Sequence, residues 1–315
     1  MGKIPLLSIV IPVYNVQEYL SDSLNSVIGQ IKTNDVEVII VNDGSTDGSL
    51  QIAERFVEMY TFVKVVSIEN SGLGAARNVG VRNANGMYVQ FLDSDDVLSE
   101  TIIEEVLFEI KRDMSTDVFV FDYAEFPDGD LSNTRKQNFD LSKFRYGNVA
   151  WNKIYRLDFW RAYDFNYPEG MRYEDTPLTH IIMGLSEKST KINTIGYLYR
   201  RNREGSITAE SSVMVDLLCR LNSLREFELN ILKYRCELQS QNKEFKVVEK
   251  FLKEVLLVFW NNKNILNNKS WNHFSFAKGL LNSPVITKDM LLRLNCKVLF
   301  LYLIEKIMFM RRGVD

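Results

Sequence analysis

Histidine is nearly missing from this chain, with only His180 and His273 among 315 residues. Catalysis through a histidine triad or an H-E-x-x-H zinc pair therefore lacks its parts. Cysteine is almost as scarce. Cys219, Cys236 and Cys296 are odd in number and far apart, which excludes a disulfide framework or zinc spacing and predicts buried thiols in a reducing compartment. A strong charge of one sign is also absent: a net −3 offers no basic field to nucleic acid. No segment approaches the ~20 apolar residues of a spanning helix. The opening MGKIPLLSIVIPVYN mimics a signal peptide only superficially. Pro5 and Pro12 bracket a short run, no small-residue cleavage site follows, and Leu6 stands where a myristoylation signal wants Ser or Thr. A first β-strand and a cytoplasmic protein are the expectation.

Glycine is withheld where two common nucleotide sites need it. A G-x-G-x-x-G would follow strand one, but the chain reads PVYN there, and no G-x-x-x-x-G-K-[ST] exists. What is present is an alternation. LLSIVIPVYN, VEVIIVN, VKVVSI and MYVQFLD read as buried strands. Helical spacing separates them, first through Leu20, Leu24, Val27, Ile28 and Ile31. This predicts an α/β fold with a mostly parallel sheet covered on both faces, whose ligand lies beyond the carboxyl ends of the strands. The polar clusters YN, NDGSTD and DSDD all fall at those ends. Beyond REGSITAESS the signals are helical only. The expected division is 1–208, with halves 1–98 and 99–208, followed by a helical region at 209–315.

The cluster DSDD puts Asp93, Asp95 and Asp96 within four positions. One reading is a solvated turn in which Ser94, Asp95 or Ser99 caps the next helix; the other is a divalent-cation site with oxygen ligands. DGSTDGSLQIAE, Asp43 to Glu54, nearly matches a calcium EF-hand loop. The run before it is strand-like, however, so a turn with Ser45, Thr46 or Asp47 capping the following helix is preferred. The strand-end residues together suggest a pocket for a nucleoside diphosphate. Tyr14 offers a flat face for a base, with Pro12 shaping its turn, and Asp43 accepts from the base edge. Arg77, on the helix opened by SGLGAAR, meets a phosphate at a helix N-terminus that favours anions.

SIVIPVYN, VNDGSTDGS, ENSGLGAARNVG, YVQFLDSDD, WNKIYR, YEDTPL and YRRNREGSIT, in this order across residues 5–207, closely resemble family 2 of the inverting nucleotide-sugar glycosyltransferases, which have the GT-A fold. The resemblance implies that Pro12, Tyr14 and Asp43 hold the donor base, and that Asn70 and Arg77 lie near ribose or diphosphate. Asp93 and Ser94 then contact the donor, and Asp95 is the main ligand for Mn²⁺ or Mg²⁺. Asp96, Trp151, Lys153, Arg200 and Arg201 are implied as phosphate or acceptor contacts. In YEDTPL the resemblance makes Asp175 the general base, with Glu174 beside it, while Glu174 and Asp175 also suit a helix N-terminus. Some relatives carry a histidine metal ligand in the last motif, and YRRNREGSIT has none.

The implied activity is metal-dependent transfer of a sugar from a nucleoside diphosphate, UDP by family habit, to a hydroxyl of a glycan or lipid-linked saccharide in surface polysaccharide synthesis. The alternative is a non-catalytic nucleotide-sugar-binding or scaffold protein on the same fold. A sugar-nucleotide pyrophosphorylase would want a Gly-rich, Arg-containing loop after strand one, which PVYNVQEYL is not. KVLFLYLIEKIMFMRR, 297–312, with Arg293 a turn earlier, has two readings. It either lies on the inner face of a membrane through 293–312, or packs as a buried helix, on its own chain or in a homodimer.

Overall fold

The computed structural model describes residues 4–137, 148–203 and 213–261; side chains are not described for 213–218, 220–221 and 253–261. The terminal segment 293–312 and Cys296 lie outside the described residues. Two compact units emerge, Met1–Asp175 with Ser186–Glu210, and Thr176–Leu185 with Ser211–Asp315.

In the first unit, apolar runs make the expected strands: β1 Leu7–Val13, β2 Val36–Asp43, β3 Val63–Ile68 and β4 Tyr88–Phe91. Every residue of β1 and β4 is buried, which explains why neither alternates apolar with polar. Between them lie α1 Leu20–Ile28, α2 Ser49–Met59 and α3 Leu73–Asn83. Ile31 falls beyond α1, because the helix stops at Gly29. These four strands pair in parallel, in the order β3-β2-β1-β4.

The second half of the sheet is mixed. β5 Val97–Leu98, β6 Val118–Pro127, β7 Arg135–Gln137, β8 Lys153–Arg156 and β9 Ser189–Arg201 extend it to β8-β6-β9-β5, with β7 on β6. β6 and β9 run parallel, while β8 is antiparallel to both β4 and β6. β7 folds back on β6 as a hairpin, which a short loop can close only in the antiparallel sense. Helices α4 Ile102–Arg112 and α5 Leu157–Ala162 complete this part.

Helix α6, Asp175–Leu185, begins on the last residue of the first unit's leading segment and continues in the second unit. Pro177 sits in its first turn, where the missing N–H costs nothing. The second unit is otherwise α7 Val213–Lys233, α8 Arg235–Ser240 and α9 Glu244–Asn261. Within it Phe227 stacks on Phe251 at 3.8 Å, and the His180 ring meets Phe251 edge-on at 5.8 Å. The thiols correct the sequence expectation: Cys219 is half-buried and Cys236 exposed, both reduced. Among the described residues no helix is long and apolar enough to cross a membrane.

Candidate active site

The loops after β1 and β2 are laced together by side chain-to-backbone bonds. Asn15 accepts from the Thr46 N–H at 2.8 Å, Ser49 Oγ from the Val16 N–H at 2.9 Å, and Gln17 Oε1 from the Gly48 N–H at 2.7 Å. Asp47 splits its carboxylate between the N–H groups of Gln17 and Ser49, both at 3.0 Å. The DGSTDGS loop therefore follows a strand and spends its oxygens on protein amides, which disposes of the calcium-loop reading. Asp47 caps the turn from one residue outside the helix, whose N-cap is Gly48. Tyr14 projects from this lacework, 48% exposed, while Pro12 is buried in β1.

Asp43 closes β2. Its Oδ1 accepts from the Ser71 N–H at 2.7 Å and its Oδ2 from the Gly72 N–H at 2.9 Å. The anion predicted at the N-terminus of α3 is thus a protein carboxylate, held by the amides that lead into the helix. Gly44, at φ 69°, lets the chain turn beneath Asn70, whose backbone nitrogen would lie 2.8 Å from any Cβ there. Asn70 itself is exposed.

The acidic cluster forms a partly buried turn, closed by the Asp96 N–H on the Asp93 carbonyl at 3.0 Å, and caps no helix. It leads from β4 into the two-residue strand β5, and α4 begins only at Ile102 after Thr101. Ser94 and Asp96 are buried, and each carboxylate has its own partner. Asp96 accepts from the Tyr197 hydroxyl at 2.6 Å and from the Arg200 backbone N–H at 2.7 Å. Tyr197 in turn accepts from the Asp93 N–H at 3.2 Å. Burial lifts the Asp96 carboxyl well above the usual range, with the charges of Asp95 and Asp93 adding to it. Asp93 takes an Arg77 bond at 2.6 Å; burial raises its pKa and Arg77 opposes the rise. Asp95 Oδ2 accepts from Arg203 Nε at 2.5 Å.

Arg77, expected near ribose or diphosphate, is held here by two protein carboxylates. Its side chain is 2% exposed, with one terminal nitrogen on Asp93 and the other on Glu174 Oε1. The two carboxylates claim both terminal nitrogens, and the rings of Phe91 and Tyr167 lie 5.8 and 5.6 Å from the guanidinium carbon. Burial alone would weaken the protonation of Arg77, but Asp93, Glu174 and Asp175 reverse the balance and hold it charged. Glu174 is pushed up to about 7, first by burial and then by Asp175, against the pull of Arg77. Gly74 allows this approach, because a Cβ there would lie 2.3 Å from the Pro168 carbonyl oxygen and 3.3 Å from Glu174 Cγ. Tyr173 stands just before the pair in the left-handed region, at φ 59°, a sparsely populated conformation that clusters at functional sites. Asp175, half-buried, is the first residue of α6.

Four further residues expected at phosphate or acceptor have partners within the protein. Lys153 is fully buried, donating to the Val149 carbonyl at 2.6 Å and Asn152 Oδ1 at 2.7 Å, and it fastens the β8 entry. Trp151 is buried and stacked on Tyr197 at 4.2 Å, so it backs the Tyr197 ring. Asp96 is likewise spent on internal bonds. Arg200 is nearly buried, bonded to the Asp95 carbonyl at 2.7 Å and Asp128 at 2.8 Å. The rings of Tyr19 and Phe126 lie 5.0 and 4.9 Å from its guanidinium carbon. It braces the acidic loop from behind. Arg201 is exposed over Tyr199.

Sequence reasoning missed Arg203, Asp128, Tyr19 and Tyr197. Arg203 and Tyr197 lay inside or beside a motif already singled out, so a charge balance on DSDD would have found Arg203. Asp128 sits in a stretch legible only as a polar loop.

Among the described residues no group of three or more His, Cys, Asp or Glu gathers to hold a metal. The arrangement fits a cation bound through Asp95 alone. Asp96 is buried on internal bonds, whereas Asp95 and Asp93 are 20% and 21% exposed, the first paired with Arg203 and the second with the buried Arg77.

A family model described as Glycosyl transferase family 2 matches residues 8–172. Glycosyltransferase GlyA of Streptococcus pneumoniae is 32% identical over 64% of this chain and 31% of its own length. The minor teichoic acid biosynthesis protein GgaB of Bacillus subtilis is 28% identical over 65% of this chain and 24% of its own. The chain thus spans less than a third of these curated relatives. Among solved structures, residues 1–349 of S. aureus TarS in complex with UDP-GlcNAc superpose with a TM-score of 0.73 at 22% identity, covering 91% of this chain and 83% of that one. That likeness establishes the GT-A arrangement of strands and helices. The chain belongs to glycosyl transferase family 2.

Proposed function

We propose that the chain is an inverting glycosyltransferase that moves a sugar from a nucleoside diphosphate, UDP in the first instance, to a hydroxyl of a glycan acceptor. The observation that carries this reading is the Arg77 bridge. It ties Asp93, at the end of β4, to Glu174, the residue before Asp175, so the donor-side loop and the candidate base belong to one rigid constellation. The likeness to TarS, whose structure holds UDP-GlcNAc, supports the choice of nucleotide. Kinship with GgaB supports a place in surface-polymer synthesis and a saccharide acceptor, lipid-linked or polymeric.

The chain's residues divide the work as follows. Tyr14 offers its exposed face to the base, and Asp43, fixed by two amides, still has lone pairs for an N–H on the base edge. Asp95 would hold Mn²⁺ or Mg²⁺, which when bound supplies positive charge against the leaving diphosphate. Asp175 accepts the proton of the acceptor hydroxyl as its oxygen attacks the anomeric carbon. The bond to the diphosphate breaks on the opposite face and inverts the configuration. Such a base is typically worth ~10²–10⁴ in rate. Glu174 and Arg77 position Asp175 and Asp93 and take no proton from substrate. Segment 293–312 could bring the enzyme to a membrane surface where a lipid-linked acceptor lies.

The test is a panel of sugar nucleotides screened for Mn²⁺-dependent hydrolysis and transfer with the full chain. Turnover of one donor, lost in Asp175→Asn while UDP still binds, supports the assignment. Tight UDP binding with no turnover of any donor would favour the non-catalytic reading.

A further inference from the structure

The carboxylates of the acidic loop are each compensated differently, and the third compensation falls on the candidate cation ligand itself. Asp93 faces the buried Arg77. Asp96 is buried on a tyrosine hydroxyl and a backbone N–H. Asp95 carries the group that would receive a cation, and Arg203 Nε already sits on it at 2.5 Å. Arg203 arrives there by a turn just past β9, where Asn202 adopts φ 64°, a left-handed conformation that asparagine tolerates. Its guanidinium carbon lies 5.4 Å from the centre of the Tyr19 ring, the ring that also faces Arg200 at 5.0 Å. The contact is partly open, with the Arg203 side chain 14% and the Asp95 side chain 20% exposed.

We propose that Arg203 is an internal counter-ion for the cation position, a positioning residue that occupies Asp95 until donor and cation arrive and then transfers its charge to the donor's diphosphate. The proposal rests on the donor-site reading above and adds a role for Arg203 to it. Its logic is charge balance. A guanidinium and a divalent cation on one carboxylate repel, so Arg203 competes with the cation for Asp95 and is driven off it as the cation binds. An anionic diphosphate entering with that cation provides the new partner, in the bidentate geometry that guanidinium suits best. The Tyr19 face keeps the displaced cation at the site by cation–π attraction. Arg203 thereby disfavours the cation alone and favours the cation together with the nucleotide.

Binding of Mn²⁺ alone, read from the loss of the free-ion electron paramagnetic resonance signal, tests this on the folded full-length protein. UDP affinity at saturating Mn²⁺ is measured in parallel. Arg203→Gln is expected to bind Mn²⁺ alone on the order of three- to tenfold more tightly than wild type, since a partly exposed charge pair no longer competes. The same variant is expected to bind UDP more weakly at saturating Mn²⁺. Arg203→Lys should return both affinities toward wild type. Opposite changes in the two affinities cannot arise from a site that is merely disordered. Equal or weaker Mn²⁺ binding by Arg203→Gln overturns the counter-ion role, even if wild type binds Mn²⁺ and UDP as a transferase should. Failure of wild type to bind Mn²⁺ even with UDP present overturns the donor-site reading, and the counter-ion role with it.

Discussion

Arg77 and Glu174, 97 positions apart in the chain, form a buried ion pair in which the same guanidinium also holds Asp93. A buried charge left without its partner is costly, so this pair determines how the site responds to substitution. Arg77→Ala leaves Glu174 buried and unpaired and removes the bond to Asp93. The expected loss is about 3–5 kcal/mol of unfolding free energy, measured by urea denaturation followed by circular dichroism. Arg77→Lys retains charge but not a two-armed fork, and should fall between that variant and wild type.

The pH dependence of stability follows from the same pair. Glu174 titrates at about 7 in the fold against an ordinary 4.5, so folding takes up a proton in that interval. The stability this proton supplies is complete below 4.5 and is lost as pH rises through about 7. Asp96 and Asp93, also raised by burial, act with the same sign. Denaturation midpoints of wild type should fall between pH 4.5 and 7, and Glu174→Gln should show a shallower fall. Parallel slopes for the two proteins would contradict the assignment.

Tyr197→Phe removes a 2.6 Å bond to Asp96 and the acceptor of the Asp93 N–H while keeping the ring stacked on Trp151. An unsatisfied buried polar group costs about 1–3 kcal/mol. The expected outcome is a loss of that size in thermal or urea stability, together with weaker Mn²⁺-dependent UDP binding as the Asp93–Asp96 loop loosens.

Gly74→Ala should be more damaging than an ordinary surface change on α3. Its Cβ would fall 2.3 Å from a backbone oxygen of Pro168, an atom that cannot rotate away. The helix and the 168–174 segment must separate, costing about 1–3 kcal/mol and pulling Glu174 off Arg77. Differential scanning calorimetry combined with a transfer assay checks both effects.

The first half of the fold was legible because its strands are buried on both faces and bounded by polar turns. VEVIIVN and YVQF announce themselves by composition alone. β5 and β7 did not. Val97–Leu98 is only two residues and follows four polar ones, and Arg135–Gln137 reads RKQ with no apolar position. Their pairing is decided by β9 and β6, which a local pattern cannot reveal. The residues of the candidate site stood out in the sequence, but their bonds did not. Asp43, Asp93, Asp95, Glu174 and Asp175 were all visible as polar strand-end or helix-start residues. That Arg77 would be spent on two of them, and Lys153 on a carbonyl and an amide, depends on contacts between distant segments. A lysine or arginine beside a predicted anion site looks the same in sequence whether it faces solvent or core.

Asp95 is proposed to grip a divalent cation shared with a nucleoside diphosphate. Calorimetric titration of UDP into wild type and Asp95→Asn, each with and without Mn²⁺, tests it most directly. The expected result is Mn²⁺-enhanced binding in wild type and loss of that enhancement, with the fold intact, in Asp95→Asn. Equal Mn²⁺ enhancement in the two proteins would contradict it.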